Sequence, residues 1–384
     1  MRATTRILVI GVLLSGAVSR VSADASDRPQ VWSVNCHAGQ SIARAVQRAA
    51  PGDTIVVTGT CRERVVITQS VNLQGHGTAV VDGSGAARTR ATLSELDGVI
   101  VVDGATGVAL TGLTVRNGRS NGIVATRGAA VMAKDVITEG NTLMGISVSD
   151  NSILEAVDSV TRSNGVSGFD VFTSSSLILS GSFTTSDNGG SGGEINGQSI
   201  VELRGAQVTI ANNPAFGIIA GSQSQLAIFG FEAARGSTLT VSGAGAAGIG
   251  LAGASSLTLF SDTVVTAEGN GVGILVAAGG EVDSPPFSTS RLLLRSNDVG
   301  MNVVAGAKVF AYAGLEIHHN GIGVLVDEAS LHLEPASGLP ASIAGNDTDV
   351  QLLFGTRSTI EHVTVGTALA CESSVLSRGT VTCP

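Results

Sequence analysis

The chain has 384 residues, 51 of them glycine, with aromatics at 3%, charged residues at 14% and a net charge of −9. Sparse charge with abundant Gly, Ser, Thr and Val excludes an all-helical protein and suits many short strands joined by tight turns. An acidic chain with only two lysines, Lys134 and Lys308, is built against gripping phosphate backbones, so nucleic acid is not an expected partner.

In chain order, the first residues, MRATTRILVIGVLLSGAVSRVSADA, set Arg2 and Arg6 before an apolar run from Ile7 to Val18 and close it with small residues up to Ala23. That is the layout of a secretory signal peptide over 1–23, and the run is too short for a membrane span. No later segment is apolar for long enough to be one. The expected location is therefore secreted, periplasmic or at the cell surface. Removing Arg2, Arg6 and Arg20 from the 22 basic residues leaves 19 against 31 acidic ones, a net charge of −12. An anionic polymer would then need a local basic patch or bridging cations to bind. Residues 24–53 read as an N-terminal cap. Ile42, Ala45, Val46 and Ala49 fall at helical spacing, so a short helix can cover the open end of a core whose strand edges would otherwise invite association.

From 54 to 366 the chain repeats. Asn recurs at 117, 141, 164, 188, 212/213, 270, 297, 320 and 346, mostly 23 to 27 residues apart, and the wide gap after Asn213 fits two coils. A few residues after most of these stands Gly with an apolar neighbour, as in Gly145-Ile146, Gly168-Phe169 and Gly273-Ile274. Apolar positions alternate within each copy (Ile146 and Val148 around Ser147, Leu257 and Leu259 around Thr258), which means short strands with one face inward. No copy is large enough to bury its apolar face alone; stacking buries them continuously. The Leu/Asn consensus of leucine-rich repeats is absent. The prediction is an all-β β-helix of roughly eleven coils, about 50 Å long at ~4.8 Å per coil. Its corner Gly and Asn residues are expected to take left-handed backbone, and its Asn side chains to stack. Residues 367–384 close the far end. Four cysteines in an exported chain suggest two disulfides. Three pairings are possible, and the local one, Cys36 with Cys61 and Cys371 with Cys383, is favoured because each set lies at one end of the repeats.

The segment SIARAVQRAAPGDTIVVTGTCRERVVITQSVNLQGHGTAVVDG (41–83) resembles the start of many exported β-helix proteins, including periplasmic accessory proteins of copper-enzyme maturation. The whole mature chain is similar to the right-handed parallel β-helix of the pectin-lyase-like superfamily. Where that pattern usually has Tyr after Gly-Thr, this chain has Cys61, consistent with a bridge to Cys36. The resemblance implies the fold; the superfamily holds lyases, hydrolases, epimerases, adhesins and non-enzymes, so it does not select a function.

Acidic-sugar lyases of this fold use clustered acidic calcium ligands and a basic residue to take the proton. No such motif stands in the outward strand positions, which read Val124, Ser147, Asp170, Ile219, Gly250, Leu275, Asn302 and Leu325, so no cofactor is expected and calcium has no supporting motif. The GHG at 75–77 resembles a polygalacturonase motif but lacks its partner motifs, and reads as a bend. GFDVF (168–172) resembles the GFDPH of alginate epimerases, but Val171 and Phe172 replace Pro and His; Asp170 is then an exposed strand residue. In EIHHN (316–320), Glu316 and His318 share a face and make at most a weak metal pair. Stacking should pair Glu139 with Arg162 and Glu268 with Arg295.

Three coils carry extra residues, in FGFEAARGST (229–238), GGEVDSPPFSTSR (279–291) and EPASGLP (334–340). In register, these insertions leave the same side of the rod on alternate coils. They are either tolerated insertions or the rim of a ligand groove lined by Phe229, Phe231, Glu232, Arg235, Glu281, Asp283 and Phe287. No catalytic or metal-ligating residue is singled out. The leading reading is an exported, non-catalytic surface-structural or binding protein with a polysaccharide or cell-surface glycan as partner. The alternative is a polysaccharide lyase, hydrolase or epimerase.

Overall fold

The computed structural model describes residues 28–85, 96–230, 236–286, 288–336, 338–372 and 375–379. The expected signal peptide, Cys383 and the groove residues Phe231, Glu232, Arg235 and Phe287 lie outside them. No helix among the described residues is long and apolar enough to cross a membrane.

The strands form a parallel solenoid whose first face is a single ladder of thirteen strands, from Val65–Ile67 to Leu369–Cys371. Thirteen rungs exceed the eleven expected. The additional rungs include Gly193–Ile195, whose GGEI lacks the Gly-apolar signature, and Leu369–Cys371, inside the segment read as the C-terminal cap. Each coil continues to a second face (Ile153 to Val157 within Ile153–Arg162, then Gln225–Phe229, Ser256–Leu259, Lys308–Ala311) and a third (Ile137–Glu139, Thr238–Ser242, Arg291–Arg295). The second-face ladder begins ahead of the helix, where Val31–Asn35 pairs with Thr54–Thr58.

Burial follows the period-two pattern. Ile146, Phe169, Ile218, Ile249, Ile274, Met301 and Val324 stack inward in one column, with Gly193 below Phe169. A Cβ at Gly193 would meet the Phe169 ring at 2.0 Å, so the large ring occupies the space of two rungs; Phe183 packs edge-on against it at 6.1 Å. The expected cap helix forms over Ile42–Arg48 and buries Ile42, Ala45 and Val46. Glu63 accepts from Ser41 Oγ and the backbone N–H of Ile42 and Ala43, which satisfies its first turn. The PGD turn supplies Asp53, which accepts from Gln30 N, Ala50 N and Trp32 Nε1. These donors, Gln30 N–H first, hold its carboxyl below the ordinary range. Cys36 and Cys61 are bridged. Cys371 is also disulfide-bonded.

The corner between the third and first faces carries the expected Asn stack. Asn164 Oδ1 accepts from Asn141 N and Nδ2 (3.2 and 2.9 Å), and the pattern passes on through Asn188 and Asn213. It resumes at Asn270 and runs through Asn297 and Asn320 to Asn346. Ala244 occupies the missing rung. The expected left-handed conformation falls elsewhere: not on the stacked Asn but on the residue before it, including Gly140, Ser163, Asp187, Asn212 and His319. Asn117 is one of these turn residues, with Gly118 at the stacked rung. The Gly of the Gly-apolar pairs answers to close approach instead, since a Cβ at Gly145 would lie 2.6 Å from Gly168 O on the next coil. At the opposite corner a serine stack forms, each Oγ accepting from the preceding coil's backbone N–H through Ser152, Ser175, Ser199, Ser224 and Ser255. The sequence reading passed over it.

The expected ion pairs are present: Arg162–Glu139 at 2.8 Å and Arg295–Glu268 at 2.7 Å. Glu316 is paired with Arg291 on the neighbouring rung rather than with His318. His76 is exposed within the strand Asn72–Asp82, where its register with the next coil breaks between Gln74 and Ala79, and a Cβ at Gly75 would lie 2.0 Å from Gly112 O, so glycine is required there by the adjacent coil.

Candidate functional site

The three insertions leave the corner between the second and third faces on alternate coils, between Gln225–Phe229 and Thr238–Ser242, between Glu281–Ser284 and Arg291–Arg295, and between Ser330–Leu333 and Ala341–Ile343. They therefore border both the second and the third face along that corner, and the described residues among those named from the sequence lie on the second. Glu281 and Asp283, read from the sequence as insertion residues, are instead outward positions of the strand itself, and Phe229 ends its strand. All three lie on the same face. Because a strand's side chains alternate, alternate residues form outward columns that run along the rod. One column holds Thr258, Asp283, Phe310, His332 and Thr359. Along the insertion-bearing corner runs another. Its Phe229 and Phe260 stack in parallel at 4.4 Å, and farther along stand Tyr312, Glu334 and Glu361.

The two columns meet in a small aromatic cluster. His332 lies 5.6 Å from Tyr312 and 6.2 Å from Phe310, ring centre to ring centre, with its Nε2 3.1 Å from Glu334 Oε2. Phe310 is 37% exposed, enough to present its ring to a ligand. Beside it a groove of about 430 Å³ runs along Ser330, His332, Arg357 and Thr359. With one Tyr, one Trp and ten Phe in 384 residues, an outward Phe, Tyr and His in contact are a concentration, of which the Phe229–Phe260 stack is the only rival among the described residues of this face. The arrangement offers ring faces, hydroxyls and a guanidinium, a chemistry that binds sugar rings and their hydroxyl or acid substituents. Of the groove residues named from the sequence, none is in this cluster. The signal that would have found it is register: Phe310, His332 and Thr359 are separated by 22 and 27 residues, which only a coil-by-coil alignment brings into one column.

A second constellation sits on the first face. Asp170 is not an exposed strand residue but 7% exposed, and its register partner on the next coil is Glu194, which accepts from Ser167 Oγ at 2.6 Å. On the preceding coil Ser147 is fully buried, its Oγ without a hydrogen-bond partner among the described residues. The outward stripe is therefore less bland than the sequence suggested; Glu194 was missed with its atypical GGEI coil. Two carboxyl groups on adjacent rungs are competent for general acid–base work.

No protein-family model matches the chain, and no curated protein matches it. Among solved structures, the A-module of mannuronan C-5 epimerase AlgE6 from Azotobacter vinelandii superposes with a TM-score of 0.51 at 17% identity, covering 91% of this chain and 99% of that one. Also similar are a family 28 exopolygalacturonase from Yersinia enterocolitica (TM-score 0.46, 10% identity, 91% and 78% covered) and an alginate lyase from Paenibacillus sp. (0.45, 14%, 78% and 97%). The fold is the parallel β-helix, shared with that epimerase module.

Proposed function

We propose that the protein is an exported β-helical rod that binds a polysaccharide along its second face, with Phe310, Tyr312 and His332 as the contact centre. The observation that carries this reading is the gathering of three outward rings, in an aromatic-poor chain, beside a groove lined by hydroxyls and Arg357. Aromatic faces bury sugar C–H surface while neighbouring polar groups fix register, so few residues are needed. The test is size-exclusion chromatography of the oxidised chain with acidic and neutral polysaccharides, protein and polymer detected separately. Protein carried forward with intact polymer, and released by Phe310→Ala and Tyr312→Ala, supports the reading. Retention that ignores both substitutions overturns it.

A second reading, polysaccharide cleavage or epimerisation, draws on the Asp170–Glu194 pair with Ser147 beside it. Polymer that shortens with time, or changes its sugar composition at constant length, and ceases to do so in Asp170→Asn and Glu194→Gln, would make the protein an enzyme.

A further inference from the structure

We propose that Glu334, Glu361 and His362 form a site for one divalent ion of the zinc class at the end of the second-face groove. Glu334 and Glu361 occupy consecutive rungs of one outward column, fixed there by the bonds Glu334 N→Ala311 O (3.0 Å) and Glu361 N→Leu333 O (2.9 Å). Column neighbours stand about one strand spacing apart, ~4.8 Å, where like charges repel. Among the described residues neither carboxylate is paired with Arg or Lys. His362 takes a left-handed backbone (φ 58°) directly after Glu361 and brings its imidazole to the same point. One ligand atom from each of the three lies within 4.8 Å of the others. On the far side His332 Nε2 sits 3.1 Å from Glu334 Oε2 and orients that carboxylate, as outer partners of metal ligands do.

A cation here removes the repulsion that the fold otherwise imposes. One imidazole and two carboxylates suit a borderline ion such as Zn²⁺, whereas Ca²⁺ takes roughly six to eight oxygens. Three protein ligands leave positions open toward the groove. Resting on the polysaccharide reading above, those positions would accept a sugar carboxylate: a chain of net charge −9 holds an acidic polymer by a bridging ion more readily than by direct contact. The ligand class is thus an acidic polysaccharide.

The test begins with calorimetric titration of the metal-stripped, oxidised full chain with ZnCl₂ alone. One ion per chain is expected, with at least tenfold weaker binding in Glu361→Gln and in His362→Ala, while His318→Ala, on the third face, leaves binding unchanged. Circular dichroism verifies that each variant is folded. Wild-type protein that takes up no zinc, or variants that bind it as the wild type does, overturn the site. A second arm measures retention on immobilised polygalacturonate and on dextran, with zinc and with chelator. Retention on polygalacturonate that requires zinc confirms the acidic ligand class. Zinc uptake without such retention overturns that class and leaves the ion site standing; polymer retention without zinc uptake overturns the site and leaves the proposed function.

Discussion

Asn164→Ala tests what holds the coils in register. Asn164 is 1% exposed, and its Oδ1 is the acceptor for two donors of the coil before, Asn141 N and Nδ2. Its own amide donates to Asn188 Oδ1 at 3.1 Å. Alanine keeps the fold of the turn, because the left-handed residue is Ser163 and not Asn164. It leaves two donors of a buried side chain and backbone without that acceptor. Each orphaned buried group costs about 1–3 kcal/mol, so a loss of roughly 4 kcal/mol is expected, close to that of emptying a core position. Urea unfolding at neutral pH, with the m-value unchanged, reads the difference. Native-state hydrogen exchange localises it: the Asn141 amide should lose protection, while the Asn188 amide, bonded to Asn213 Oδ1, keeps its own. Gln198→Ala, which removes an exposed pair with Gln223, serves as the control and should cost under about 0.5 kcal/mol. An Asn164→Ala protein within about 0.5 kcal/mol of the parent and with the Asn141 amide still protected would falsify the claim that the side-chain stack stabilises the rod.

Removing the Cys36–Cys61 bridge by a double serine substitution should lower stability by about 3–4 kcal/mol, given a sequence separation of 25, read as a lower urea midpoint against the oxidised parent. Burial alone would raise the Asp82 carboxyl, but hydrogen bonds from Ser84, Asn117 and Arg116 outweigh it and bring it from 3.8 down to about 2. A depressed carboxyl stabilises the fold above its unfolded value, so about 2 kcal/mol present at pH 5 should drain away between pH 4 and 2; Asp82→Asn should flatten that part of the stability–pH curve. Gly193→Ala should destabilise severely because its Cβ enters the Phe169 ring. Combined with Phe169→Leu it should recover part of the loss, a coupling of about 1 kcal/mol or more in a double-mutant cycle.

Fold class was legible in the sequence because a solenoid writes its architecture as spacing. Alternating apolar residues gave the inward columns, the Asn period gave one corner, and PGD with the apolar stripe from Ile42 to Ala49 gave the cap. Coil count was harder, since GGEI carries a glycine, Gly193, where its neighbours in the column carry Phe169 and Ile218, and since the last rung, Leu369–Cys371, lies beyond the repeat signature. The role of each corner residue was not readable either: Asn tolerates left-handed backbone and also hydrogen-bonds laterally, and only the dihedral angles separate Ser163 from Asn164. The proposed binding face was only partly legible. The insertions marked a corner beside it, yet Glu281 and Asp283 had to be placed by register before their strand character and their relation to Phe310 and His332 emerged. Glu334, Glu361 and His362 carry no local motif, because ligands drawn from successive coils are neighbours in space and strangers in sequence.

The vacant rung at Ala244 divides the amide stack into two cables, one ending at Asn213 and one starting at Asn270. Asn213 there turns its amide inward to Ala211 O instead of reaching across. The strand ladders and the serine stack nevertheless run unbroken past this point, with Ser224 N–H donating to Ser255 Oγ at 3.2 Å, so the joint interrupts one side-chain cable and not the rod. The aromatic groove and the Glu334–Glu361–His362 cluster lie on the C-terminal side of that joint and the Asp170–Glu194 pair on the N-terminal side, so each candidate centre is backed by a different amide cable.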